Sequence, residues 1–312
     1  MHDSLQTIMP PQQFFADPRK PPLDLSSDFR EAIPDDWDQN HNVSLSDCGK
    51  EMLGDPSVSG QPFVFGGRDS LHLDGVISPS FGFVTDQGNR LENEDRILCS
   101  PNIKPGWSCF AVFDGHGGSF AAEHCARVFP VVLSRQLSSS MTLQDIGRLL
   151  SDCFRTADYT LWQTCFHDNL PDFKPNLSTG CTACVVLQVG ATVVCASAGD
   201  SMAVIYSSSN DSIVEMSPQH RPSRGTELHR ILSLGGQVTE DASGVARVNG
   251  VLSTSRGIGD VGLKPLVTAE PELRVHRIRP GDEFLLVATD GLWDVVGPAE
   301  ACEVAVAAGD PR

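Results

Sequence analysis

From Phe81 onward the chain consists of short apolar runs separated by turns rich in Gly, Asp and Pro. Runs of about four to eight apolar residues between such turns are typical of β-strands. The pattern therefore predicts a domain built largely of strands. These are 81–85, 107–113, 182–189, 192–198, 202–206, 251–254 and 284–289.

Helical spacing of apolar residues interrupts these strands. Residues 119–136 carry an apolar face that Pro130 disturbs. Thr142-Leu-Gln-Asp145 resembles a capping box, which marks the start of a helix. The apolar residues that follow it at helical spacing, interpreted as core, are Ile146, Leu149, Leu150, Cys153, Phe154, Ala157 and Leu161. Further helices are predicted over 225–234 and near Pro298.

Many strands separated by turns, with helices clustered apart from them, indicate an α+β fold with layered antiparallel sheets. A strict alternation of strand and helix is absent, and no internal repeat is visible. Residues 1–75 are rich in Pro, Asp, Ser and Gln without a sustained period, so we expect a mostly disordered tail. The folded domain is predicted to span residues 76–312.

The composition narrows the class of protein. A hydrophobic content of 40% is sufficient for a core, and 23 Lys and Arg against 40 Asp and Glu give a net charge of −17. Such a chain repels nucleic-acid phosphates, so no nucleic-acid partner is expected. No apolar run reaches the roughly 18 residues of a membrane span, and the first residues do not resemble a signal peptide. We expect a monomer in the cytoplasm, the nucleus or both, with its 10 cysteines reduced.

One cysteine pair has the spacing of a zinc site. Cys181-Thr-Ala-Cys184 lies in a run that is predicted to be a strand. Residues three apart on a strand point to opposite faces, so one ion cannot easily bind both thiolates. These cysteines are therefore interpreted as structural.

The most informative stretch is Phe110-Ala-Val-Phe-Asp114-Gly115-His116-Gly117-Gly118. An apolar strand here ends in a carboxylate, an imidazole and three glycines, which allow a close approach of the backbone to a bound ion. Asp and His at this position suit a hard cation and proton transfer. Alone, the stretch is equally compatible with an Asp-Gly turn beside a strand.

Other carboxylates recur in the same style, at turns or strand ends. Carboxylates that cluster at strand ends would repel one another unless cations lie between them. Oxygen ligands with few His or Cys favour Mg²⁺ or Mn²⁺ over zinc. The further stretches are Arg90-Leu-Glu-Asn-Glu94-Asp95, Gly199-Asp200-Ser201, Gly259-Asp260 and Asp290-Gly-Leu-Trp-Asp294.

These blocks, in this order, resemble the type 2C (PPM) metal-dependent protein Ser/Thr phosphatases. The resemblance covers residues from about 81 to 307 and implies two stacked antiparallel sheets with helices on both outer faces. Its further blocks are Ser178-Thr-Gly-Cys-Thr-Ala183, Gln219-His-Arg-Pro222, Arg247-Val-Asn-Gly250, Ser255-Arg-Gly-Ile-Gly-Asp260 and Ala288-Thr-Asp-Gly-Leu-Trp-Asp-Val295.

The resemblance implies a role for each metal-site residue. Asp114 would bridge two Mg²⁺ or Mn²⁺ ions, and the carbonyl of Gly115 would bind one of them. Glu94 and Asp290 would bind the other ion, and Asp95 would hold metal-bound water.

It also implies a weaker third ion at Asp200 and Asp294, and a phosphate clamp at Arg90. The alternative to binding this third ion is that Asp200 and Asp294 have structural roles. His116 would protonate the departing Ser or Thr oxygen as general acid, and the alternative is that it orients other groups of the site. A hydroxide activated by both ions would attack phosphorus in line, without a phosphoenzyme. The expected partners are phosphoprotein substrates.

Residues His220, Glu227 and Arg256 fall in matching blocks but are interpreted as scaffold, and Asp260 is interpreted as part of a structural turn. Two departures from the family pattern are Met202, where an Arg is usual, and Gln219, where an Asp is usual.

The printed sequence reaches Arg312 without the Asp-Asn pair that the family carries several tens of residues past the Asp-Gly-x-Trp-Asp block. The Asp of that pair is a further metal ligand, so an apparently truncated domain would have a weakened second metal site and an open sheet edge. The alternative function is therefore a catalytically impaired phosphatase fold that acts as a binding or regulatory scaffold.

Overall fold

The computed structural model describes residues 64–66, 80–167 and 178–308. In chain order the strands are β1 (Val64–Gly66), β2 (Arg96–Lys104), β3 (Trp107–Phe113), β4 (Gly115–His116), β5 (Gly180–Cys181), β6 (Ala183–Val189), β7 (Thr192–Ala198), β8 (Met202–Ser207), β9 (Ser212–Glu215), β10 (Val238–Glu240), β11 (Ala246–Val248), β12 (Ile258–Gly259), β13 (Glu272–Arg277) and β14 (Asp282–Ala288). The helices are α1 (Phe120–Gln136), α2 (Leu143–His167), α3 (Gly225–Ser233), α4 (Asp290–Trp293) and α5 (Pro298–Ala308), and a short 3₁₀ turn covers Val261–Leu263.

Two antiparallel sheets form the centre of the molecule. One has the strand order β13-β7-β6-β3-β2, and the other has the order β1-β14-β8-β9. A small ladder, β12-β5-β4, and the hairpin β10-β11 lie beside them. All pairings between these strands are antiparallel. The α+β prediction is therefore confirmed.

The layers are visible in how β3 is buried. All of its residues are buried, because both of its faces are covered. Phe113 points to the helical side, where it packs in one cluster with Phe129 of α1 and Phe154 of α2. Phe110 points to the other sheet and shares a second cluster with Leu285 of β14. Alternate residues of one strand therefore build two separate cores.

A third cluster lies on the far side of the second sheet. Leu286 of β14 packs there with Trp293, Ala301 and Cys302 from the α4–α5 segment. The order of layers is helices, sheet, sheet, helices, as the resemblance implied. None of the helices in the described part of the chain is long and apolar enough to cross a membrane.

Most predicted elements are present with nearly the predicted bounds, including α1, which continues through the buried Pro130. The capping box is also confirmed, since the backbone N–H of Asp145 donates to Thr142 Oγ1 (3.2 Å) and that of Thr142 to Asp145 Oδ2 (3.0 Å).

Two predicted strands are wrong. In 81–85 only Phe81 forms a bridge, and 251–254 is a turn in which Leu252 bridges to Val248. Strand β2 was not predicted, because its mixed sequence is only partly buried at the edge of its sheet.

The predicted tail, residues 1–75, lies outside the described residues except for β1. β1 pairs with the outer side of β14, with Val64 opposite Leu286.

The structural interpretation of the cysteine pair agrees with the packing. Cys181 lies in the core between helices and sheet, with its Sγ 3.5 Å from that of Cys125. Cys184 lies between the two sheets, 3.9 Å from the Sγ of Cys195. The two side chains therefore lie in separate hydrophobic clusters.

Candidate active site

A cleft of about 1040 Å³ opens where the ends of β3 and β14 meet the segment before β2. Its walls come from both sheets, because β3 and β14 belong to stacked sheets whose ends approach one another. The predicted site residues that line it are Arg90, Glu94, Asp95, Asp114, Gly115, His116, Asp200 and Asp290. Residues spread over two hundred positions of sequence thus converge on one cleft.

Asp114 directly follows β3 and is held there by Thr182, which lies between β5 and β6. Its carbonyl accepts a hydrogen bond from the N–H of Thr182 (2.9 Å), and its N–H donates to Thr182 Oγ1 (3.3 Å). The next residue must be a glycine, since a Cβ on Gly115 would lie 2.5 Å from the carbonyl oxygen of Glu94. Two backbone segments therefore approach closely at the floor of the cleft.

The carboxyl group of Asp114 interacts electrostatically with those of Asp95 and Asp290. Burial, followed by the charges of Asp95, Asp290 and Asp200, raises the pKa of Asp114 to about 9. Burial also raises the pKa of Asp95, although the hydroxyl of Thr289 donates to its Oδ2 (2.9 Å) and acts in the opposite direction. The cleft floor therefore carries more carboxyl groups than its surroundings can stabilise as anions.

Asp200 is nearly fully buried at the turn after β7. Burial raises its pKa to about 6, while the guanidinium of Arg221 acts to lower it. Arg221 Nη1 lies 3.2 Å from Asp200 Oδ2, and its Nη2 lies 2.8 Å from Asp294 Oδ1. Asp294 stands apart from the cleft lining and its side chain is 58% exposed. The guanidinium of Arg221 thus joins the two carboxylates for which the resemblance implied a weaker third ion.

Glu94 and Arg90 lie on the segment that covers one wall of the cleft. The N–H of Gly118 donates to Glu94 Oε1 (2.8 Å), which ties this carboxylate to the glycine loop. Arg90 is exposed at the rim, and its carbonyl accepts a hydrogen bond from Gln87 Nε2 (2.8 Å). The guanidinium is therefore open to a ligand that enters from solvent.

His116 reaches the cleft from the small ladder of β4. Its Nε2 lies 2.7 Å from Oδ1 of Asp260, a residue that is only 1% exposed. Burial lowers the pKa of His116, but the hydrogen bond and charge of Asp260 outweigh it, so the pKa is raised above its ordinary value.

Three residues with contacts to the site were missed or given only a structural interpretation. Thr289 and Arg221 touch predicted carboxylates, and Asp260 touches the imidazole of His116. Thr289 directly precedes Asp290 and Arg221 directly follows His220, so their positions beside motif residues were the available signal. For Asp260 the signal was its place among the glycine-flanked carboxylates.

The predicted scaffold residues lie behind the cleft. Glu227 of α3 is buried and pairs with Arg256 (2.6 Å) and Arg230 (2.9 Å). His220 Nε2 lies 3.3 Å from Glu272 Oε2, and its Nδ1 contacts the backbone of Gly199 (2.9 Å). These contacts join α3 and β13 to the turn that carries Asp200.

The side chains do not form a ready-made metal site. Within residues 80–167 and 178–308, no three Asp, Glu, His or Cys side chains are grouped as ligands of one ion. The assignment of individual metal ligands therefore stays a prediction.

The chain is similar to proteins of known family. The family model described as "Protein phosphatase 2C" matches residues 80–308. "Protein phosphatase 2C 3" of Arabidopsis thaliana is 33% identical over 281 residues, which are 85% of this chain and 62% of that protein. "Probable protein phosphatase 2C 8" of Oryza sativa subsp. japonica is 38% identical over 63% of this chain and 50% of that protein. The chain thus spans about half to three fifths of the length of these relatives.

Solved structures agree with the sequence comparison. A serine-threonine phosphatase 2C from Toxoplasma gondii matches 72% of this chain and 82% of its own, with 26% identity and a TM-score of 0.63. A sex determining protein of C. elegans matches 70% of this chain and 53% of its own, with 28% identity and a TM-score of 0.61. The cleft residues lie within the matched range, and the chain belongs to the protein phosphatase 2C family.

Proposed function

We propose that this chain is a Mg²⁺- or Mn²⁺-dependent protein phosphatase that hydrolyses phosphoserine and phosphothreonine. The observation that carries the proposal is that Asp95, Asp114 and Asp290 line one open cleft, where the charges of Asp95 and Asp290 act on the largely buried carboxyl group of Asp114. Neighbouring buried carboxyl groups are costly unless protons or cations neutralise them. Membership of the phosphatase family supports the same activity.

The donor set of the cleft fits hard divalent cations. Carboxylate oxygens and a backbone carbonyl are the ligands that Mg²⁺ and Mn²⁺ prefer. Asp114 would hold two ions, with Glu94 and Asp290 on one and the carbonyl of Gly115 on the other, while Asp95 would orient water. When bound, the ions supply Lewis-acid chemistry, activating water and offsetting charge on the phosphoryl oxygens.

The side chains at the mouth of the cleft would bind the substrate and supply the proton. Arg90, exposed at the rim, can grip two phosphate oxygens with its planar fork. His116 would give a proton to the departing Ser or Thr oxygen as the ester bond breaks. The nucleophile would be water, so we propose hydrolysis in one in-line step without a phosphoenzyme.

The alternative of an impaired scaffold has no observation in its favour. Arg90, Glu94, Asp114, His116 and Asp290 all line the same cleft. A scaffold that had lost catalysis would be free to lose this arrangement, since binding partners through the outer surface does not need it. The enzyme hypothesis is therefore the one proposed.

Phosphate release from a phosphothreonine peptide tests the proposal. We expect release with Mn²⁺, no release with EDTA, and a loss of about hundredfold or more for Asp114→Asn, which keeps the shape and removes the charge. Calorimetric titration should show weaker Mn²⁺ binding to the same variant.

Asp211→Asn is the matched control, because it removes a carboxylate from the exposed turn before β9. It should release phosphate and bind Mn²⁺ as the unmodified chain does. Release that persists in EDTA, or full activity of Asp114→Asn, would contradict the proposed mechanism. No release at any Mn²⁺ concentration would contradict the activity itself.

A further inference from the structure

The carboxyl group of Asp260 has an unusual set of contacts for a residue in a turn. Its Oδ1 lies 2.7 Å from His116 Nε2, and its Oδ2 is buried without a hydrogen-bond partner. A carboxylate that served the turn alone would accept backbone N–H groups, as Asp241 does from Ser243 (2.9 Å) and Val245 (3.1 Å). The one described hydrogen-bond partner of the Asp260 side chain is the imidazole of His116.

The small ladder is built to bring these two side chains together. His116 lies opposite Gly180, and Gly180 lies opposite Gly259, the residue before Asp260. A Cβ on Gly180 would collide with Asp260 Oδ2 and would lie 2.6 Å from His116 Nε2. The absence of a side chain at Gly180 is therefore what gives the carboxylate access to the ring.

The turn that carries Asp260 is fixed from behind by helix α2. Asp158 Oδ1 accepts a hydrogen bond from the N–H of Gly259 (2.7 Å) and pairs with Lys264 Nζ (2.9 Å). The N–H of Asp260 donates to the carbonyl of Thr179 (2.9 Å). Asp260 itself has a φ of 51°, a left-handed conformation that is uncommon for a residue other than glycine. Strained backbone that is held so firmly is frequent beside functional groups.

We infer that Asp260 is a positioning residue for His116. By accepting a hydrogen bond from Nε2–H it fixes the ring and leaves Nδ1 as the nitrogen that meets the leaving oxygen of the substrate. In other sites, carboxylates that accept a hydrogen bond from one ring nitrogen orient the imidazole in this way. The inference rests on the proposed function, because it assigns His116 the task of protonating that oxygen.

The step balances as a hydrolysis. The oxygen of water forms a new bond to phosphorus and the water proton passes to solvent. The ester P–O bond breaks, and the leaving oxygen takes the proton from Nδ1 to become a Ser or Thr hydroxyl. Solvent then restores the proton on Nδ1, and inorganic phosphate is released.

Leaving-group dependence separates positioning of an acid from a merely structural role. A phosphothreonine peptide needs protonation of its leaving oxygen, whereas p-nitrophenolate departs without it. For His116→Ala we expect kcat to fall about hundredfold on the peptide and less than about fivefold on p-nitrophenyl phosphate. Asp260→Asn should show the same contrast, with a peptide loss of about ten- to hundredfold and an unchanged KM. The double variant should be no slower than His116→Ala, since both act through one group.

Asp282→Asn is the matched control. Asp282 Oδ2 lies 2.7 Å from His276 Nε2 in another buried His–Asp pair, on strands β13 and β14 away from the cleft. Its kinetics should equal those of the unmodified chain on both substrates. Gly180→Ala is a second variant, which separates the two side chains by a methyl group while both remain, and should reproduce the contrast of Asp260→Asn.

The outcomes distinguish the inference from the proposed function. If Asp260→Asn slows both substrates equally while His116→Ala slows only the peptide, the positioning role is overturned. If His116→Ala itself slows both equally, the acid role of His116 fails first.

A readout independent of activity is the ¹⁵N spectrum of the imidazole of His116. It should show a hydrogen-bonded Nε2–H in the unmodified chain that is weakened in Asp260→Asn. An unchanged spectrum would also overturn the inference.

Discussion

The charge of Glu227 should make the stability of this domain depend on pH. Glu227 is 1% exposed, yet its carboxylate accepts hydrogen bonds from Arg256 Nη2 (2.6 Å), Arg230 Nη2 (2.9 Å) and Ser255 Oγ (2.9 Å). These contacts join helix α3 to the segment that leads into β12. A buried carboxylate that is satisfied from several sides stabilises the fold only while it is ionised.

The magnitude follows from its pKa. Burial acts to raise the pKa of Glu227, but the hydrogen bonds and charges of Arg256 and Arg230 outweigh it and lower the pKa from 4.5 to about 2. This difference corresponds to about 3 kcal/mol of stability at neutral pH. Since the side chain of Arg230 is 25% exposed, screening by water reduces the contribution to about 2 kcal/mol.

The sign is that of a carboxyl group with a depressed pKa. The unfolded chain binds the proton near pH 4.5 and the folded chain only near pH 2, so the stabilisation is complete above pH 4.5. It is lost as the pH falls between these values, and about half of it is gone by pH 3. Glu227→Gln removes the charge and should lower the free energy of unfolding at pH 7 by about 2–4 kcal/mol.

Equilibrium unfolding in urea, measured from pH 7 to pH 3, tests this reasoning. The gap between the unmodified chain and Glu227→Gln should narrow as the pH falls. Glu240→Gln, the same change on the exposed end of β10, should stay within about 0.5 kcal/mol of the unmodified chain at every pH. A gap of constant size from pH 7 to pH 3 would refute the assignment of the ionic contribution to Glu227.

Further predictions concern the cleft and the core. Gly115→Ala places a Cβ 2.5 Å from the Glu94 carbonyl oxygen and should weaken Mn²⁺ binding at least about tenfold in calorimetry. An unchanged affinity would show that the close approach of these two backbone segments does not shape the metal site. Arg221→Ala leaves Asp200 and Asp294 without their shared cation, so the chain should bind one additional Mn²⁺ ion in calorimetry. An unchanged number of bound ions would contradict the idea that the guanidinium takes the place of an ion here. Phe154→Ala removes a fully buried ring and should cost about 3–5 kcal/mol in denaturant unfolding, a value that a loss below about 1 kcal/mol would contradict.

The parts of the fold that the sequence predicts well are those in which one pattern dominates. β3 is recognisable in the sequence because residues 107–113 form an almost entirely apolar run, and all of them are buried in the structure. Helix α2 is recognisable because its apolar stripe begins at a capping box. The segment 81–85 has an apolar pattern too, but only Phe81 forms a bridge, and Val84 and Thr85 line the cleft. The opposite error concerns β2, a strand that was not predicted, because an edge strand needs little apolar character to complete a sheet.

The convergence of the carboxylates could be predicted in outline. Asp114 and Asp290 each follow a buried strand, and strand ends of stacked sheets can meet at one edge. The partner of each carboxylate could not be predicted, because it depends on side-chain directions that motifs do not encode. Arg221 illustrates this, since the sequence places it beside His220 but only the fold places its guanidinium between Asp200 and Asp294.

The contact between His116 and Asp260 marks the limit of prediction from sequence most clearly. It joins residues 144 positions apart through the two-residue strands β4, β5 and β12, which are too short to carry any periodic pattern. What fixes the contact is steric, because Gly180 leaves the space that the carboxylate occupies. The turn at Gly259-Asp260, which is interpreted as structural from the sequence alone, can therefore serve the chemistry of the cleft. It does so because the ladder holds it against the imidazole and helix α2 holds it from behind.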